Sequence, residues 1–310
     1  MTVNVPPLKC QGIKTKLVAW IKDHAVLEDG GTWFEPFMGS GVVGFNVRPK
    51  KAVFADINPH IVNFYNAIKD GKVTAGIAKE FLEQEGEILQ KRGEDYYYEV
   101  RERFNKENLP LDLLFLNRAC FNGVMRFNRK GMFNVPFGHK PQRFAKAYIT
   151  KIANQIKYVT QVLSQYDWSF VSADFRQTIA QVGQADFIYC DPPYAGRHVD
   201  YFNSWTGEDE SELYDRLSST PAKFILSTWH SNRYRKNESI EKYARNFTIL
   251  TREHFYHVGA NEENRNPMLE AIVLNYNPFT PVSLETEKQL ALFDKPGQPY
   301  EPKPTHLTNP

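Results

Sequence analysis

Apolar residues of the chain fall into short runs separated by polar turns that are rich in Gly and Pro. Residues 16–27 have the spacing of an amphipathic helix, and two short apolar runs then end at Glu35 and Asp56. Five further strand-like runs occupy residues 168–175, 186–194, 222–229, 246–258 and 269–276. Strands that recur with helices and turns between them predict an α/β fold.

A helical pattern separates the two groups of predicted strands. Residues 61–108 carry Glu and Lys at exposed positions, and Phe81, Leu82, Ile88 and Leu89 form an apolar stripe. Such a stripe predicts helices that bury one face and leave the other in solvent.

This order of elements predicts a discontinuous domain with an insertion and a tail. Residues 1–66 and 167–280 form the α/β domain, and residues 67–166 form the insertion. In residues 281–310, Pro is the most frequent residue and no hydrophobic periodicity remains. We therefore predict a flexible tail there.

The amino-acid composition excludes several classes of protein. The 310 residues include three cysteines without paired spacing, so we expect no disulfide framework and no thiolate zinc site. The eight histidines form no metal-ligand cluster, and no apolar run is long enough to cross a membrane. We expect a soluble, cytoplasmic protein with neither metal nor membrane contact.

Charge is distributed unevenly along the chain. The stretch from Leu113 to Tyr166 has no Asp or Glu but nine Lys and Arg residues, although the whole chain has a net charge of only +2. A basic block inside an otherwise acidic chain is typical of a surface that faces a polyanion. The alternative is a solvated basic face without a partner, although such a face would normally be mixed with acids.

The first two predicted strands end in residues suited to a nucleoside. Trp33 and Phe34 lead into Glu35 and then into the turn Gly39-Ser40-Gly41. Glycines at a strand-to-helix turn let the backbone approach a ligand closely. Asp56, at the end of the next strand, is placed to bind a ribose hydroxyl pair.

A second polar group follows the apolar run at 187–190, where the sequence continues Asp191-Pro192-Pro193-Tyr194. Proline cannot donate to a sheet ladder, so these residues lie just past the strand end. The Asp191 carboxylate and the Pro192 carbonyl are two acceptors beside the Tyr194 ring. This set fits an amino group on a flat ring, such as the exocyclic amine of a nucleobase. The alternative is an ordinary strand end with a Pro-Pro turn.

Six segments, in this order, resemble the class α (Dam-like, D12 class) DNA adenine-N6 methyltransferase family. They are LKCQGIKTKL, FEPFMGSG, FADIN, LNRACFNGVMRFNRKGMFNVPFG, SADF and DPPY. The resemblance covers roughly residues 6–276. It implies a Rossmann-like, S-adenosylmethionine-dependent methyltransferase sheet with an inserted, mainly helical DNA-recognition domain. S-adenosyl-L-methionine would be the methyl donor, and N6 of an adenine flipped out of double-stranded DNA would be the acceptor.

The resemblance also assigns roles to individual residues. The expected cofactor-binding residues are Cys10, Lys14, Glu35, Phe37, Gly39, Ser40, Gly41, Asp56, Asp174, Phe175 and Asp191. The expected catalytic residues are Asp191, Pro192 and Tyr194. The expected DNA-binding residues are Phe121, Asn122, Arg126, Asn128, Arg129, Lys130 and Lys140. In this family an aromatic residue often stands where this chain has Cys10.

The insertion is expected to read the DNA sequence. Arg126 can pair bidentately with guanine, although one more phosphate contact is the alternative for it. The loop is similar to those of enzymes with GATC-like sites.

Other classes of function fit less well. An amine methyltransferase acting on protein or another non-DNA substrate is the nearest competitor. Those with glutamine substrates typically have Asn before Pro-Pro-Tyr and lack such a basic insertion. A non-catalytic DNA-binding module would not need the cofactor segments, and a hydride-transfer dehydrogenase would need a pyrophosphate fingerprint.

The tail contains one apolar cluster, Gln289-Leu290-Ala291-Leu292-Phe293. Three large apolar side chains in an otherwise polar segment are typical of a docking peptide. The pentapeptide resembles the QLxLF-type motif with which bacterial replication and repair proteins bind the sliding clamp. The alternative is that these side chains pack on the enzyme's own surface. A restriction partner, with its cognate endonuclease, an orphan enzyme and a phage enzyme would all look alike in sequence.

Overall fold

The computed structural model describes residues 2–128, 130–194, 205–233, 236–255 and 267–278. Within these residues, seven strands form a single sheet. They are β1 (Trp33–Glu35), β2 (Lys51–Asp56), β3 (Asp167–Ser172), β4 (Phe187–Cys190), β5 (Lys223–Asn232), β6 (Thr248–Phe255) and β7 (Pro267–Leu274). Their order is β3-β2-β1-β4-β5-β7-β6, with β7 antiparallel to both β5 and β6 and all other pairs parallel.

Helices connect the strands and form most of the insertion. They are α1 (Val18–His24), α2 (Val42–Val47), α3 (Pro59–Lys69), α4 (Ala75–Arg92), α5 (Glu94–Glu107), α6 (Pro110–Ala119), α7 (Lys146–Leu163), α8 (Phe175–Ile179), α9 (Gly207–Ser219) and α10 (Ser239–Ala244). Across the described ranges, none of these helices has the length and hydropathy needed to cross a bilayer.

Buried side chains cover both faces of the sheet. Successive residues of a strand point to opposite faces, and along β4 Phe187 and Tyr189 belong to one core cluster while Ile188 and Cys190 belong to the other. All four are almost fully buried, which explains why β4 is an uninterrupted apolar run instead of an alternating one.

The strands predicted from the sequence are all present, with bounds that differ by up to four residues at either end. The run at 186–194 is a strand only over Phe187–Cys190, because the two prolines that follow cannot donate to a ladder. The run at 246–258 begins at Thr248, because the backbone N–H groups of Asn246 and Phe247 both donate to the Tyr243 carbonyl.

The predicted helical stretch at 61–108 is three helices. Asn58 caps α3 by accepting from the His60 N–H, and Thr74 caps α4 by accepting from the Ile77 N–H. Gly93, at φ +62°, separates α4 from α5. In the apolar stripe of α4, Leu82 and Leu89 are fully buried, whereas Phe81 and Ile88 are half-buried against the same core.

A hairpin-like loop at residues 120–138 lies between α6 and α7. Isolated bridges pair Cys120 with Phe137 and Phe127 with Phe133, and these side chains are buried. They join the core cluster that also contains residues of the sheet and of α4. The division into separate domains at residues 66 and 166 stays a prediction, and the tail at 281–310 lies outside the described residues.

The five parallel strands have the order 3-2-1-4-5 that characterises a Rossmann-type sheet, so the expected fold class is confirmed. The order reverses at β1, which has β2 on one side and β4 on the other. In such sheets ligands bind outside the carboxyl ends of the strands, at the point where the order reverses.

Candidate active site

A cavity of about 730 Å³ opens where β1, β2 and β4 end. Ten of the eleven residues expected to bind the cofactor line it: Cys10, Lys14, Glu35, Phe37, Gly39, Ser40, Asp56, Asp174, Phe175 and Asp191. Pro192 and Tyr194 line it as well. Gly41 does not line it; this residue stands in front of α2 with φ +69°, a backbone conformation that glycine adopts readily. The structure thus brings the predicted set together, while the role of each residue stays a prediction.

The glycine turn is fixed by contacts from the neighbouring elements. Gly39 has φ +47°, and its N–H donates to Asp56 Oδ2 at 2.9 Å. The Tyr65 hydroxyl of α3 donates to the Ser40 carbonyl at 2.7 Å. The turn after β1 is therefore held by the end of β2 and by α3, and it presents its backbone to the cavity.

The Glu35 carboxyl group is buried and accepts two hydrogen bonds. Its Oε2 accepts from Trp33 Nε1 at 3.0 Å and from the Gly44 N–H at 3.1 Å. A Cβ on Gly44 would lie 2.3 Å from the Phe54 ring and 2.7 Å from this oxygen, so only glycine fits there. Burial raises the pKa of Glu35 to about 8, although both hydrogen bonds oppose that rise.

Asp56 is held in a similar way. Its Oδ1 accepts from the Asn58 N–H at 2.8 Å, and its Oδ2 accepts from the Gly39 N–H. Burial raises the pKa of Asp56 to about 6. A carboxylate has about four acceptor sites, so each oxygen retains capacity for a ligand hydroxyl.

Lys14 connects the N-terminal segment to the end of β4. Its Nζ lies 2.8 Å from Asp191 Oδ1 and donates to the Gly12 carbonyl at 3.1 Å. The same ammonium lies 4.9 Å from the centroid of the Tyr194 ring. Burial raises the pKa of Asp191, whereas the charge and hydrogen bond of Lys14 lower it. Lys14 therefore favours the ionised, acceptor-only form of this carboxylate.

Aromatic rings form another wall of the cavity. Phe37 and Phe175 stack with centroids 5.4 Å apart, and Trp205 meets Phe37 edge-on at 5.6 Å. The Arg176 guanidinium lies 4.4 Å from the Phe175 ring and binds Asp209 at 2.7 Å. This wall suits a flat, stackable ring.

Sequence reasoning missed three members of this wall, namely Trp205, Arg176 and Asp209. Trp205 and Asp209 lie at the start of α9. The sequence there has neither a glycine-rich turn nor an acidic residue at the end of a strand, which were the two signals used for other cavity residues. The available signal was local: Thr206 and Asp209 form a capping box, which fixes where α9 begins and therefore where Trp205 stands.

The described residues that were predicted to bind DNA lie on the hairpin and beside it, and none of them lines the cavity. Phe121 is 54% exposed, and Asn122 has φ +54°. Lys130 and Lys140 are exposed, whereas Arg129 lies outside the described residues. Met125, one position before Arg126, lines the cavity, so the hairpin reaches the edge of the site.

Two hairpin residues form hydrogen bonds that limit which of their groups could contact DNA. Arg126 Nε donates to Asn134 Oδ1 at 3.0 Å, which orients the guanidinium. Asn128 Oδ1 accepts from the N–H groups of Lys130 and Met132 and so holds the turn. The group that Asn128 can offer to a base edge is therefore its amide nitrogen.

The described segments contain no group of three His, Cys, Asp or Glu side chains arranged to hold a metal ion.

Comparison with known families agrees with this geometry. The profile of the D12 class N6 adenine-specific DNA methyltransferases matches residues 11–258. The chain belongs to this family. The expectation drawn from the six sequence segments is thereby confirmed, and so is the reaction class, adenine-specific DNA methylation.

The relatives include proteins named DNA adenine methylase and proteins named Type II methyltransferase. The chain is 32% identical over 237 residues to a DNA adenine methylase of Vibrio cholerae, covering 73% of this chain and 80% of that protein. It is 33% identical over 226 residues to the DNA adenine methylase of Escherichia coli K12, covering 69% of this chain and 75% of that protein. It is 26% identical over 289 residues to the Type II methyltransferase M1.LlaDCHI of Lactococcus lactis, covering 88% of this chain and 96% of that protein.

We predict that Glu35→Gln raises the free energy of unfolding by an amount that grows with pH. Burial raises the pKa of Glu35 in the folded state to about 8, above its usual value of 4.5. Between these values the folded protein binds more protons than the unfolded chain, so the wild type loses stability as pH rises. The difference in free energy of unfolding between Glu35→Gln and the wild type should increase by on the order of 3 kcal/mol from pH 5 to pH 8.

Urea unfolding at pH 5, 6.5 and 8 measures this difference. Glu87→Gln, at an exposed position of α4, is the matched control and should show no pH-dependent gain. A Glu35→Gln gain that stays constant over this pH range would contradict the prediction.

Proposed function

We propose that this chain transfers the methyl group of S-adenosyl-L-methionine to N6 of an adenine that is extruded from duplex DNA at a specific sequence. The observation that carries the proposal is the placement of the Asp191 carboxylate, the Pro192 residue and the Tyr194 ring on one cavity that also contains the glycine turn and Asp56. Family membership supports the adenine amine as the acceptor.

The cavity fits S-adenosylmethionine in size and in chemistry. About 730 Å³ lies within the range of sites for ligands of this size. The ring wall of Phe37, Phe175 and Trp205 would take the adenine, and Asp56 would bind the ribose hydroxyls. The turn at 35–41 would hold the amino-acid part. When bound, this cofactor supplies an electrophilic methyl group next to a good leaving group.

The residues after β4 would prepare the acceptor. The lone pair of adenine N6 is delocalised into the ring, which makes the nitrogen a poor nucleophile. Hydrogen bonds from N6 to Asp191 and to the Pro192 carbonyl would favour a pyramidal nitrogen with its lone pair directed at the methyl group. Tyr194 would stack on the base and hold it in line, so that proximity supplies much of the acceleration.

The target base must leave the duplex, because its amine is otherwise paired. The exposed Phe121 and the neighbouring Asn122, at the base of the hairpin, would fill the space near the extruded base. Lys130 and Lys140 would bind phosphates, and Arg126 would read a guanine. The similarity of the hairpin sequence to loops of GATC-specific enzymes supports a GATC-like site, and methylome sequencing of cells that express the protein would identify it.

An amine methyltransferase acting on a non-DNA substrate is the competing function. Asp rather than Asn at position 191 and the acid-free basic stretch at 113–166 favour DNA. The chromosome would be the substrate, so we place the enzyme in the cytoplasm, on the nucleoid.

We predict that Asp191→Ala abolishes N6-methyladenine formation while it leaves cofactor binding partly intact. The carboxylate would contact the acceptor amine, whereas Asp56 and the ring wall lie elsewhere in the cavity. Methylation is measured on duplex DNA with S-adenosylmethionine as the sole addition, and cofactor binding is measured by calorimetry.

Asp215→Ala, which removes an exposed carboxylate from α9, is the control and should retain full activity. If the folded wild-type protein labels glutamine peptides or cytosine N4 and leaves adenine unmodified, the proposed function is wrong.

We predict different DNA-binding defects for Arg126→Ala and Lys140→Ala. Loss of Arg126 should relax discrimination at one guanine, by about 1–3 kcal/mol, because a bidentate base contact is lost. Loss of Lys140 should weaken binding similarly on all sequences and flatten the salt dependence, because a phosphate contact is lost. Binding is measured on a panel of single-base substituted duplexes at several salt concentrations. An unchanged site preference in Arg126→Ala would assign this residue to phosphate.

Residues 289–293 are proposed to bind a bacterial sliding clamp. Their structure lies outside the described residues, so the proposal depends on the sequence Gln-Leu-Ala-Leu-Phe alone. Binding would bury the two leucines and the phenylalanine in a groove, and the polar flanks would act as a tether that raises the local enzyme concentration on DNA. A cognate restriction endonuclease is a second proposed partner, supported by the Type II name of one relative.

A labelled peptide of residues 283–297 should bind a purified bacterial clamp in a fluorescence titration. The control peptide carries Leu292→Ala and Phe293→Ala and should not bind, because both anchoring side chains are gone. No binding of the native peptide at about 100 μM, near the weak end for a transient contact, would rule the clamp out as a partner.

A further inference from the structure

Tyr194 is joined to a carboxylate that the sequence places far from it. Its hydroxyl donates to Glu270 Oε2 at 3.0 Å, across 76 positions of the chain. Glu270 belongs to β7 and is fully buried.

The register of the sheet explains how the two residues meet. Cys190, the last residue of β4, pairs with Leu226 of β5, and Trp229 of β5 pairs with Glu270 of β7. Trp229 stands three residues beyond Leu226, so Glu270 lies at the level that the chain reaches about three residues after Cys190. That level corresponds to the Pro193-Tyr194 segment.

A carboxylate at this position is costly for the fold. The four residues that follow it in β7, from Ala271 to Leu274, are buried and apolar, as the core of the sheet requires. A buried acid must be compensated by hydrogen bonds or a nearby positive charge. Glu270 also opposes the ionisation of Asp191, whose pKa its negative charge raises. An apolar residue would avoid both costs, so core packing does not explain the presence of Glu270.

We propose that Glu270 is a positioning residue that holds the Tyr194 ring in the orientation needed to stack on the target base. This inference depends on the proposed function, in which Tyr194 contacts the flipped adenine. Tyr194 follows two prolines, its ring faces the Lys14 ammonium, and Glu270 fixes its hydroxyl. The ring is thus constrained at its backbone, at its face and at its tip, which places it before the base arrives.

A double-mutant cycle with Tyr194→Phe and Glu270→Leu tests the coupling. Tyr194→Phe keeps the ring but removes the hydroxyl, and Glu270→Leu removes the acceptor. Each single change should lower kcat about tenfold, as expected for one lost hydrogen bond to a charged group. In the Tyr194→Phe background, Glu270→Leu should change kcat less than twofold, because the bond is already gone.

Two further variants separate positioning from general structure. Glu270→Gln keeps an oxygen that accepts from the hydroxyl, so kcat should stay within about threefold of the wild type. Glu253→Leu makes a matched change at an exposed position of β6 and should leave kcat unchanged. The Kd for S-adenosylmethionine, measured by calorimetry, should be unchanged in Tyr194→Phe and Glu270→Leu.

A fluorescence measurement reports the ring itself. In a duplex with 2-aminopurine at the target position, stacking on Tyr194 quenches the extruded base, so Glu270→Leu should give brighter fluorescence than the wild type.

Two results would overturn the inference while the proposed function stands. One is wild-type kcat in Tyr194→Phe, which needs no Glu270 variant to fold. The other is additive losses in the double-mutant cycle on an enzyme that methylates adenine. If the wild-type protein leaves adenine unmodified, the proposed function fails and this inference fails with it.

Discussion

The ion pair between Lys14 and Asp191 is the contact on which the site depends. Both side chains are largely removed from water, and a buried charge that loses its partner costs several kcal/mol. The pair therefore obliges the N-terminal segment to lie across the carboxyl end of β4. Other contacts secure that segment: the Lys9 N–H donates to Asn117 Oδ1 at 2.8 Å, and Asn117 Nδ2 returns a bond to the Lys9 carbonyl at 2.9 Å. Because Asn117 lies in α6, immediately before the hairpin, one segment connects the cavity to the hairpin.

The cavity has an excess of buried acid. Glu35, Asp56 and Asp191 line it, burial raises the pKa of each, and Lys14 forms an ion pair with Asp191. A positively charged ligand would lower all three pKa values and recover part of the cost of burying them. S-adenosylmethionine carries positive charge on its sulfonium and on its ammonium group. The buried carboxyl groups of the cavity are therefore compatible with the cationic cofactor proposed above.

Local signals in the sequence were sufficient for the strands and for most of the cavity. Glycine at positive φ, proline after β4 and carboxylates at strand ends are requirements of the backbone or of burial, so they are visible without knowledge of the fold. Glu270 was not predictable, because β7 is the last of the described strands in sequence yet lies between β5 and β6. Its contact with Tyr194 depends on two strand registers, and hydrophobic periodicity does not encode register across such distances. Asn134, which orients Arg126, was missed for the same reason, since the pairing of the hairpin arms determines it.

The hairpin and the cofactor cavity share a structural element in α3. Asn58 caps this helix, and its backbone N–H donates to the Asp56 carboxylate. Two residues later, the His60 ring stacks on Phe127 of the hairpin, with centroids 4.9 Å apart and planes 12° apart. Burial lowers the pKa of His60, which favours the neutral imidazole that an apolar stack requires. The hairpin and the Asp56 carboxylate therefore both contact the first turn of α3 or its cap. The elements proposed to recognise DNA and to bind the cofactor thus share one structural support, within a single turn of one helix.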